Sequence, residues 1–214
     1  MSAKAIKPVS IHQQAILQAA REIIVTEGME ALTVRAIADR LELTDGALYR
    51  HFKSKEDILA MLIDETEQTL LEMVRTAGQK SGDTFEKLEN ILYSHLSYAE
   101  QRKGVTFILI ASTYNIKATR LREKMWYVIG RYLDTIRAVL NEGVRKGVLR
   151  KDLDVEAAST IFFGLIQSMV TFWALSGYQY SIHVRRLRTM FDIYANGIKQ
   201  PLTQVKNYKA MMGG

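Results

Sequence analysis

The feature that most restricts the fold is a run of 26 residues, Ala157 to Ile182, that contains no charged side chain. Such a segment is long enough to span a membrane, or it forms a helix that is buried on nearly every side. Polar residues such as Ser159, Gln167 and Thr171 are scattered through it, and no second segment of this kind is found. We therefore interpret it as a buried helix at an interface between subunits, and expect no membrane span.

Composition predicts helices for the rest of the chain. The 214 residues include two prolines, 48% hydrophobic residues and no long stretch that alternates apolar and polar side chains, so an all-α fold is expected. Cysteine is absent, which excludes disulfides and thiolate chemistry. The N-terminal residues 1–14 lack an apolar core of the secretory type, and a cytoplasmic protein is expected.

The stretch from Thr33 to Lys55 predicts two short helices, a tight turn between them and the start of a third helix. Thr33 is a good N-cap, and Leu48 and Phe52 lie four residues apart on one inward face. This is the pattern of a helix-turn-helix, whose second helix enters the major groove of DNA. Glu42 lies at the turn where glycine is common, and a left-handed conformation there costs about 1 kcal/mol.

Residues Gly46 to Lys55, GALYRHFKSK, resemble the signature of the TetR (tetracycline repressor) family of transcriptional regulators. The resemblance implies an N-terminal three-helix helix-turn-helix domain, expected at 1–55, and a helical ligand-binding and dimerisation domain, expected at 56–214. It also implies a homodimer that binds a palindromic operator in double-stranded DNA, represses transcription and is released by a small-molecule effector.

The candidate DNA contacts lie on the outward side of this motif or at the start of its second helix, where base edges are read. They are Thr33, Arg35, Thr44, Asp45, Gly46, Ala47, Tyr49, Arg50, His51, Lys53 and Lys55. Residues 1–60 hold eight basic and eight acidic side chains, so the arrangement of the basic residues, and not net charge, indicates phosphate contacts. Asp45 is interpreted either as an acceptor for cytosine or as a helix cap.

Two C-terminal segments predict the dimer interface. Gly164 and Ser168 are four residues apart, which allows a partner helix to approach closely. The last helix, expected at 183–199, carries Leu187, Phe191 and Tyr194 on one face. Two such helices from each subunit would form a four-helix interface across a two-fold axis.

The candidate effector contacts are a histidine and aromatic residues of the second domain, which at helical spacing are also typical of an ordinary core: His95, Phe107, Tyr114, Trp126, Phe162 and Trp173. Residues 117–151 hold ten basic and three acidic side chains. That excess is typical of a solvated helix face, but it also fits a lipophilic effector with an anionic head, such as a fatty acid or acyl-CoA.

No cofactor, metal site or catalytic residue is predicted. The four histidines have no ligand spacing, and no phosphate loop, Ser-His-Asp set or pair of carboxylates is found. A helical enzyme with an incidental helix-turn-helix is thereby disfavoured. A DNA-binding factor of the same fold that responds to a protein partner stays open: a solid core with an exposed apolar groove would favour it, and a pocket would favour the ligand sensor.

Overall fold

The computed structural model describes residues 11–49, 52–113, 119–182 and 185–200 of the chain. Within these ranges it contains nine α-helices, one turn of 3-10 helix at Met29–Ala31 and, in place of strands, one isolated bridge between Leu149 and Lys199. The helices are α1 (Ile11–Thr26), α2 (Val34–Arg40), α3 (Asp45–Tyr49), α4 (Lys55–Gln79), α5 (Thr84–Gln101), α6 (Val105–Thr113), α7 (Thr119–Arg145), α8 (Val155–Leu175) and α9 (Arg185–Ile198). The predicted all-α class is confirmed.

Side-chain caps define the starts of four helices, including the one predicted at Thr33. Thr33, Ser54 and Asp154 each accept a hydrogen bond from a backbone N–H in the first turn of α2, α4 and α8, at 3.0, 3.4 and 2.9 Å. Asp83 and Glu86 form a reciprocal capping box at the start of α5. These bonds satisfy N–H groups that have no partner within the helix.

The helix-turn-helix has the predicted turn. Glu42 is left-handed, with φ of 53°, and the N–H of Leu43 donates to the carbonyl of Ala38 at 2.9 Å. Leu48 and Phe52 are buried, as expected from their spacing. The turn therefore carries the strain of a side chain in a conformation that favours glycine.

A first core joins α1, α2, α3 and the start of α4. It is closed by residues from much later in the chain: Val105 and Leu109 of α6, and Leu121, Met125 and Val128 of α7. The DNA-binding unit is thus not a self-sufficient bundle, because α6 and the start of α7 complete its apolar interior.

A second core lies among the end of α4, α5, the rest of α7, α8 and α9, with Tyr132 and Phe162 at its centre. Helix α4 contributes to both cores over its 25 residues, about 37 Å at 1.5 Å per residue. The domain boundary after residue 55 stays a prediction, because α4 and α6 serve both regions.

Helix α8 is the one helix among the described residues that is long and apolar enough to cross a membrane. Its inner face, with Phe162, Ile166 and Val170, is buried in the second core, whereas Ile161 and Phe172 lie exposed on the other side. Within one subunit the helix is therefore buried on one face only. The exposed uncharged face is what the interface prediction requires.

Candidate functional site

The predicted DNA surface is formed by α2, α3 and the residues that follow. Thr33, Thr44, Gly46, Tyr49 and Lys53 are exposed. Arg35 is also exposed, and its guanidinium lies 3.9 Å from the carboxylate of Asp39, an exposed pair that contributes little to stability. Asp45 and Ala47 belong to α3. Arg50 and His51 lie outside the described residues, so their DNA contacts stay predictions.

Lys55 lies differently from Lys53. It is half-buried at the start of α4, and its ammonium group donates a hydrogen bond to the backbone carbonyl of Met29. This contact ties α4 to the 3-10 turn after α1. The phosphate contact of Lys55 stays a prediction. Its ammonium group already has an internal partner, which the ammonium group of Lys53 lacks among the described residues.

A narrow cavity lies inside the second domain, between α4, α5, α6, α7 and α8. Its free volume is about 20 Å³, which is room for one or two water molecules. Most of its lining is apolar, and its polar residues are Thr66, His95, Tyr98, Thr106, Tyr132 and Gln167. The cavity borders both cores, since Met125 and Val128 line it and also complete the first core.

Two of the polar residues in the cavity wall satisfy each other. Nδ1 of His95 and the hydroxyl of Tyr132 are 3.0 Å apart, and their rings meet edge to face. Burial lowers the pKa of His95 to about 4 and raises the pKa of Tyr132 above its ordinary value. Both side chains are therefore neutral at pH 7, and the wall carries a polar but uncharged pair.

Of the predicted effector contacts, His95 and Phe107 line the cavity. Phe162 and Trp173 are buried in the second core outside the lining, and Trp173 donates its indole N–H to the carbonyl of Tyr180 at 2.7 Å. Tyr114 lies outside the described residues. Phe162 and Trp173 are therefore ordinary core residues, which is the alternative that the sequence left open.

Trp126 corrects the sequence interpretation. Its side chain is 77% exposed on α7, whereas the preceding residue, Met125, is buried and lines the cavity. Successive residues of a helix point about 100° apart, so the inward position at this level of α7 is occupied by Met125. Trp126 therefore lies outside the cavity.

None of the basic residues in the described part of the 117–151 stretch, residues 119–151, lines the cavity. Lys124 pairs with Asp64, Arg137 with Asp134 and Glu156, and Lys146 with Glu142. Among the described residues, a cation that does contact the cavity wall is Arg102, whose guanidinium lies 4.8 Å from the ring centroid of Tyr98. Sequence reasoning missed it, although Tyr98 and Arg102 have the i, i+4 spacing that places two residues on one helix face.

Arg102 belongs to an ion-pair network that links the two regions. Glu65 of α4 accepts from Arg102 at 2.8 Å and from Arg21 of α1 at 2.5 Å. All three side chains are mostly buried, and burial is the main cause that lowers the pKa of Arg21. We call this the Glu65 bridge (Arg21, Glu65, Arg102). It joins the DNA-binding unit to the residue that lies over Tyr98.

A larger depression of about 810 Å³ lies on the surface between α4 and α7. Charges of both signs line it, including Glu72, Arg75, Arg131 and Glu142. It is an open groove in which these charges alternate with apolar residues such as Leu71 and Val139, whereas ligand sites are usually enclosed and carry few charges. The smaller internal cavity is the better candidate for a lipophilic effector.

The predicted dimer contacts fall into two groups. Gly164 and Ser168 line a shallow groove between α8 and α9, beside Ile161 and Ile193, which are 61% and 69% exposed. Leu187, Phe191 and Tyr194 are instead buried within the subunit, and Tyr194 donates to the carbonyl of Ala158. The amphipathic face of α9 is therefore used to close the second core, which corrects the assignment of Leu187 and Phe191 to the partner's surface. Tyr194 also lines the groove between α8 and α9, and its contact with a partner stays a prediction.

No group of His, Cys, Asp or Glu side chains in the described parts of the chain is arranged to hold a metal ion. The polar atoms that line the cavity are hydroxyl, imidazole and amide groups. They can donate and accept hydrogen bonds but provide no set of anionic ligands.

Two family models match consecutive parts of the chain. The model for bacterial regulatory proteins of the tetR family matches residues 16–62, and the model for the C-terminal region of YsiA-like proteins matches residues 63–196. The second match alone covers more than half of the chain. Together they include the helix-turn-helix, the cavity and the α8–α9 groove.

Relatives of known role and solved structures are also similar to this chain along most of its length. A fatty acid metabolism regulator protein of Bacillus subtilis is 28% identical over 185 residues, covering 86% of this chain and 93% of that protein. The nucleoid occlusion factor SlmA of a Marinomonas species is 26% identical over 164 residues, covering 77% and 83%. The crystal structure of the regulator FadR from Bacillus subtilis in complex with stearoyl-CoA has a TM-score of 0.76 and 27% identity, covering 86% and 98%.

Proposed function

Because the chain belongs to the TetR family of bacterial regulatory proteins, and is accordingly a ligand-responsive transcriptional regulator that binds DNA as a homodimer, we propose that its effector is a long-chain acyl-CoA. In this proposal the acyl chain enters the cavity of the second domain and lowers the affinity for a palindromic operator. The protein then acts as a cytoplasmic repressor that acyl-CoA releases from DNA.

The observation that carries the proposal is that the cavity and the DNA-binding unit share a wall. Ligand pockets usually measure about 300–1,000 Å³, so a cavity of about 20 Å³ has to widen to take an acyl chain. Widening separates α6 and the start of α7 from α5 and α8. Since Val105, Leu109 and Met125 also complete the first core, this movement shifts the support of the DNA-binding unit.

An effector acts only through its preference for one of two states. The narrow cavity supports this requirement, because the closed state has no room for the chain and the open state does. Ligand binding and a displaced α6 are then coupled, and operator affinity falls as the open state becomes populated. The Glu65 bridge gives a second connection, from α5 beside the cavity to α1.

The acyl-CoA class follows from the lining and from similarity. No Lys, Arg, Asp or Glu lines the cavity, and burial of an unpaired charge is costly, so the part of the ligand inside it is uncharged. An acyl chain matches this uncharged lining, and the charged CoA portion would stay outside. FadR, similar in sequence and fold, is described in complex with stearoyl-CoA.

A release experiment tests the proposal. DNA duplexes are first selected from a random pool by the protein, and the protein–DNA complex is then titrated with stearoyl-CoA, stearate, free CoA and a cationic lipophile of similar chain length. We expect release by stearoyl-CoA and not by free CoA. Release by the cation alone would contradict the acyl-CoA effector.

The homodimer is proposed to use the α8–α9 groove. Ile161 and Ile193 are exposed there beside Gly164, which leaves space for a partner helix. We expect Ile193→Asp to shift the protein toward monomer in sedimentation at micromolar concentration. Trp126→Asp is the matched control, because Trp126 is also a largely exposed apolar residue but lies on α7. Equal dissociation by both variants would argue against this interface.

Regulation by a protein partner is the second candidate. The exposed aromatic side chains of Trp126 and Tyr127 on α7 support it, since exposed apolar surface often marks an interaction site. The relative SlmA is described as a nucleoid occlusion factor. Failure of all four ligands to release the DNA would favour this candidate over a small-molecule effector.

A further inference from the structure

One polar group in the cavity wall has no partner. Tyr98 of α5 is 4% exposed, and its hydroxyl oxygen makes no hydrogen bond with any described residue. The Thr66 and Thr106 hydroxyls lie near enough to oppose the rise in the pKa of Tyr98 that burial causes, but neither meets it at hydrogen-bonding geometry. A buried hydroxyl without a partner is unfavourable, so its retention needs an explanation.

Other buried tyrosines of the second domain differ from Tyr98. Tyr132, in the same cavity wall, is paired with His95, and Tyr194 donates to the carbonyl of Ala158 at 3.1 Å. Because Tyr132 is engaged by His95, the tyrosine hydroxyl of the cavity wall that can donate to a ligand is that of Tyr98. Thr66 and Thr106 line the cavity next to it.

The ring of Tyr98 is held in place. The guanidinium of Arg102 lies over it at 4.8 Å from the ring centroid, and Glu65 fixes that guanidinium through an ion pair at 2.8 Å. Because Arg102 is engaged by Glu65 and does not line the cavity, it offers no counter-charge inside. An oxygen bound at Tyr98 is therefore uncharged, since an unpaired carboxylate would be costly there.

We propose that Tyr98 is the specificity-determining residue of the cavity, and that its hydroxyl donates a hydrogen bond to an uncharged oxygen of the effector. This inference rests on the proposed function of the cavity as the effector site. Two sources of that oxygen share the same chemistry: the thioester carbonyl of an acyl-CoA, and a hydroxyl or keto group on the chain itself. A plain hydrocarbon at this position leaves the Tyr98 hydroxyl unpaired.

Calorimetric titration of the intact dimer with three probes tests the inference. The probes are stearoyl-CoA, the octadecyl thioether of CoA, which lacks the carbonyl, and a stearoyl-CoA hydroxylated near the middle of its chain. A hydrogen bond to a buried, otherwise unpaired hydroxyl changes affinity by about tenfold. Weaker binding of the thioether identifies the thioester carbonyl, and tighter binding of the hydroxylated probe identifies the chain oxygen; either result supports the inference.

Tyr98→Phe should abolish whichever of these differences the native protein shows, while thioether affinity stays the same. Tyr194→Phe is the matched control: it removes a hydroxyl that is bonded outside the cavity, so it should lower the melting temperature without changing the ratios between probes. Equal binding of all three probes by the native protein would overturn the inference and leave the proposed function standing. Failure of every probe to bind would overturn both the inference about Tyr98 and the proposed function.

Discussion

The two cores of the molecule differ in where they keep their polar side chains. Among the described residues, the buried Thr, Ser and His side chains are Thr66, Thr84, His95 and Ser159, and all lie from the middle of α4 onward. In the described part of residues 11–63, by contrast, every buried side chain is apolar. The DNA-binding unit acts through its outer surface and has an apolar interior, whereas the second domain takes its proposed ligand inside and carries polar groups there.

This difference predicts how substitutions act. A change at an exposed residue of the helix-turn-helix alters DNA affinity with little effect on stability. A change at the cavity affects stability and ligand response together, because the same side chains serve both. The two regions are nonetheless joined by α6, the start of α7 and the Glu65 bridge.

The largest effect is expected in the first core. Ile37→Ala removes a fully buried side chain of α2 and should lower the free energy of unfolding by about 4 kcal/mol. Since α6 belongs to the same core, urea unfolding should remain one transition when followed by circular dichroism and, in a Trp126→Phe background, by the fluorescence of the buried Trp173. Separate transitions would show that the two cores unfold independently; Lys53→Ala, at an exposed position, is the control.

The next effect is pH dependence in the second core. Burial lowers the pKa of His95 from 6.5 to about 4, so between these values the unfolded state binds a proton that the folded state does not. The stabilisation is complete above pH 6.5 and is lost as pH falls toward 4, on the order of 3 kcal/mol in all. Urea unfolding at pH 7 and pH 4.5 measures it, and His95→Gln should lose less stability over this interval than the native protein.

The sequence was sufficient for the helix-turn-helix because that motif depends on neighbours in the chain. Thr33, Leu48 and Phe52 lie where cap preference and helical spacing predicted, and the left-handed Glu42 was recognised from its position in the turn. The predictions were weaker where distant segments meet. Apolar spacing marks a buried face but not the surface that covers it, so Leu187 and Phe191 were assigned to a partner although they bury within the subunit.

The cavity shows the same limit. Trp126 was chosen for its size, but the inward position belongs to Met125. Tyr98 and Arg102 were missed because their importance depends on Glu65, which lies more than thirty residues earlier in the chain. Long-range pairings of this kind leave no periodic signal in one sequence.

A smaller effect is expected at the connection between the regions. Glu65→Gln leaves Arg21 and Arg102 without a counter-charge in a mostly buried position and should cost about 2 kcal/mol of stability. It should also reduce the ratio of operator affinities measured without and with stearoyl-CoA. Glu72→Gln is the matched control on the same helix, because its pair with Arg75 is exposed; an equal change of the ratio in both variants would exclude a specific role of the bridge.

The smallest effect concerns phosphate contacts. If Arg35, Lys53 and Lys55 each neutralise one phosphate, the dimer neutralises about six and the log–log salt slope of DNA binding is roughly −5. Lys53→Ala should make the slope shallower by about 2 for two subunits. Lys55→Ala should change it less, because its ammonium group is bonded to Met29. Equal changes would show that Lys55 leaves Met29 to contact DNA.

The sharing of α6 between the two interiors limits how this protein can be recombined. A chimaeric biosensor made by joining residues 1–55 to the effector domain of another regulator would omit Val105, Leu109 and Leu121, and so expose the apolar surface that they cover. A chimaera that keeps this apolar surface covered would combine residues 1–55 with α6 and the first turns of α7 from the same protein. The part that can be exchanged as a unit therefore consists of separate segments of the gene, although the helix-turn-helix itself is one short segment.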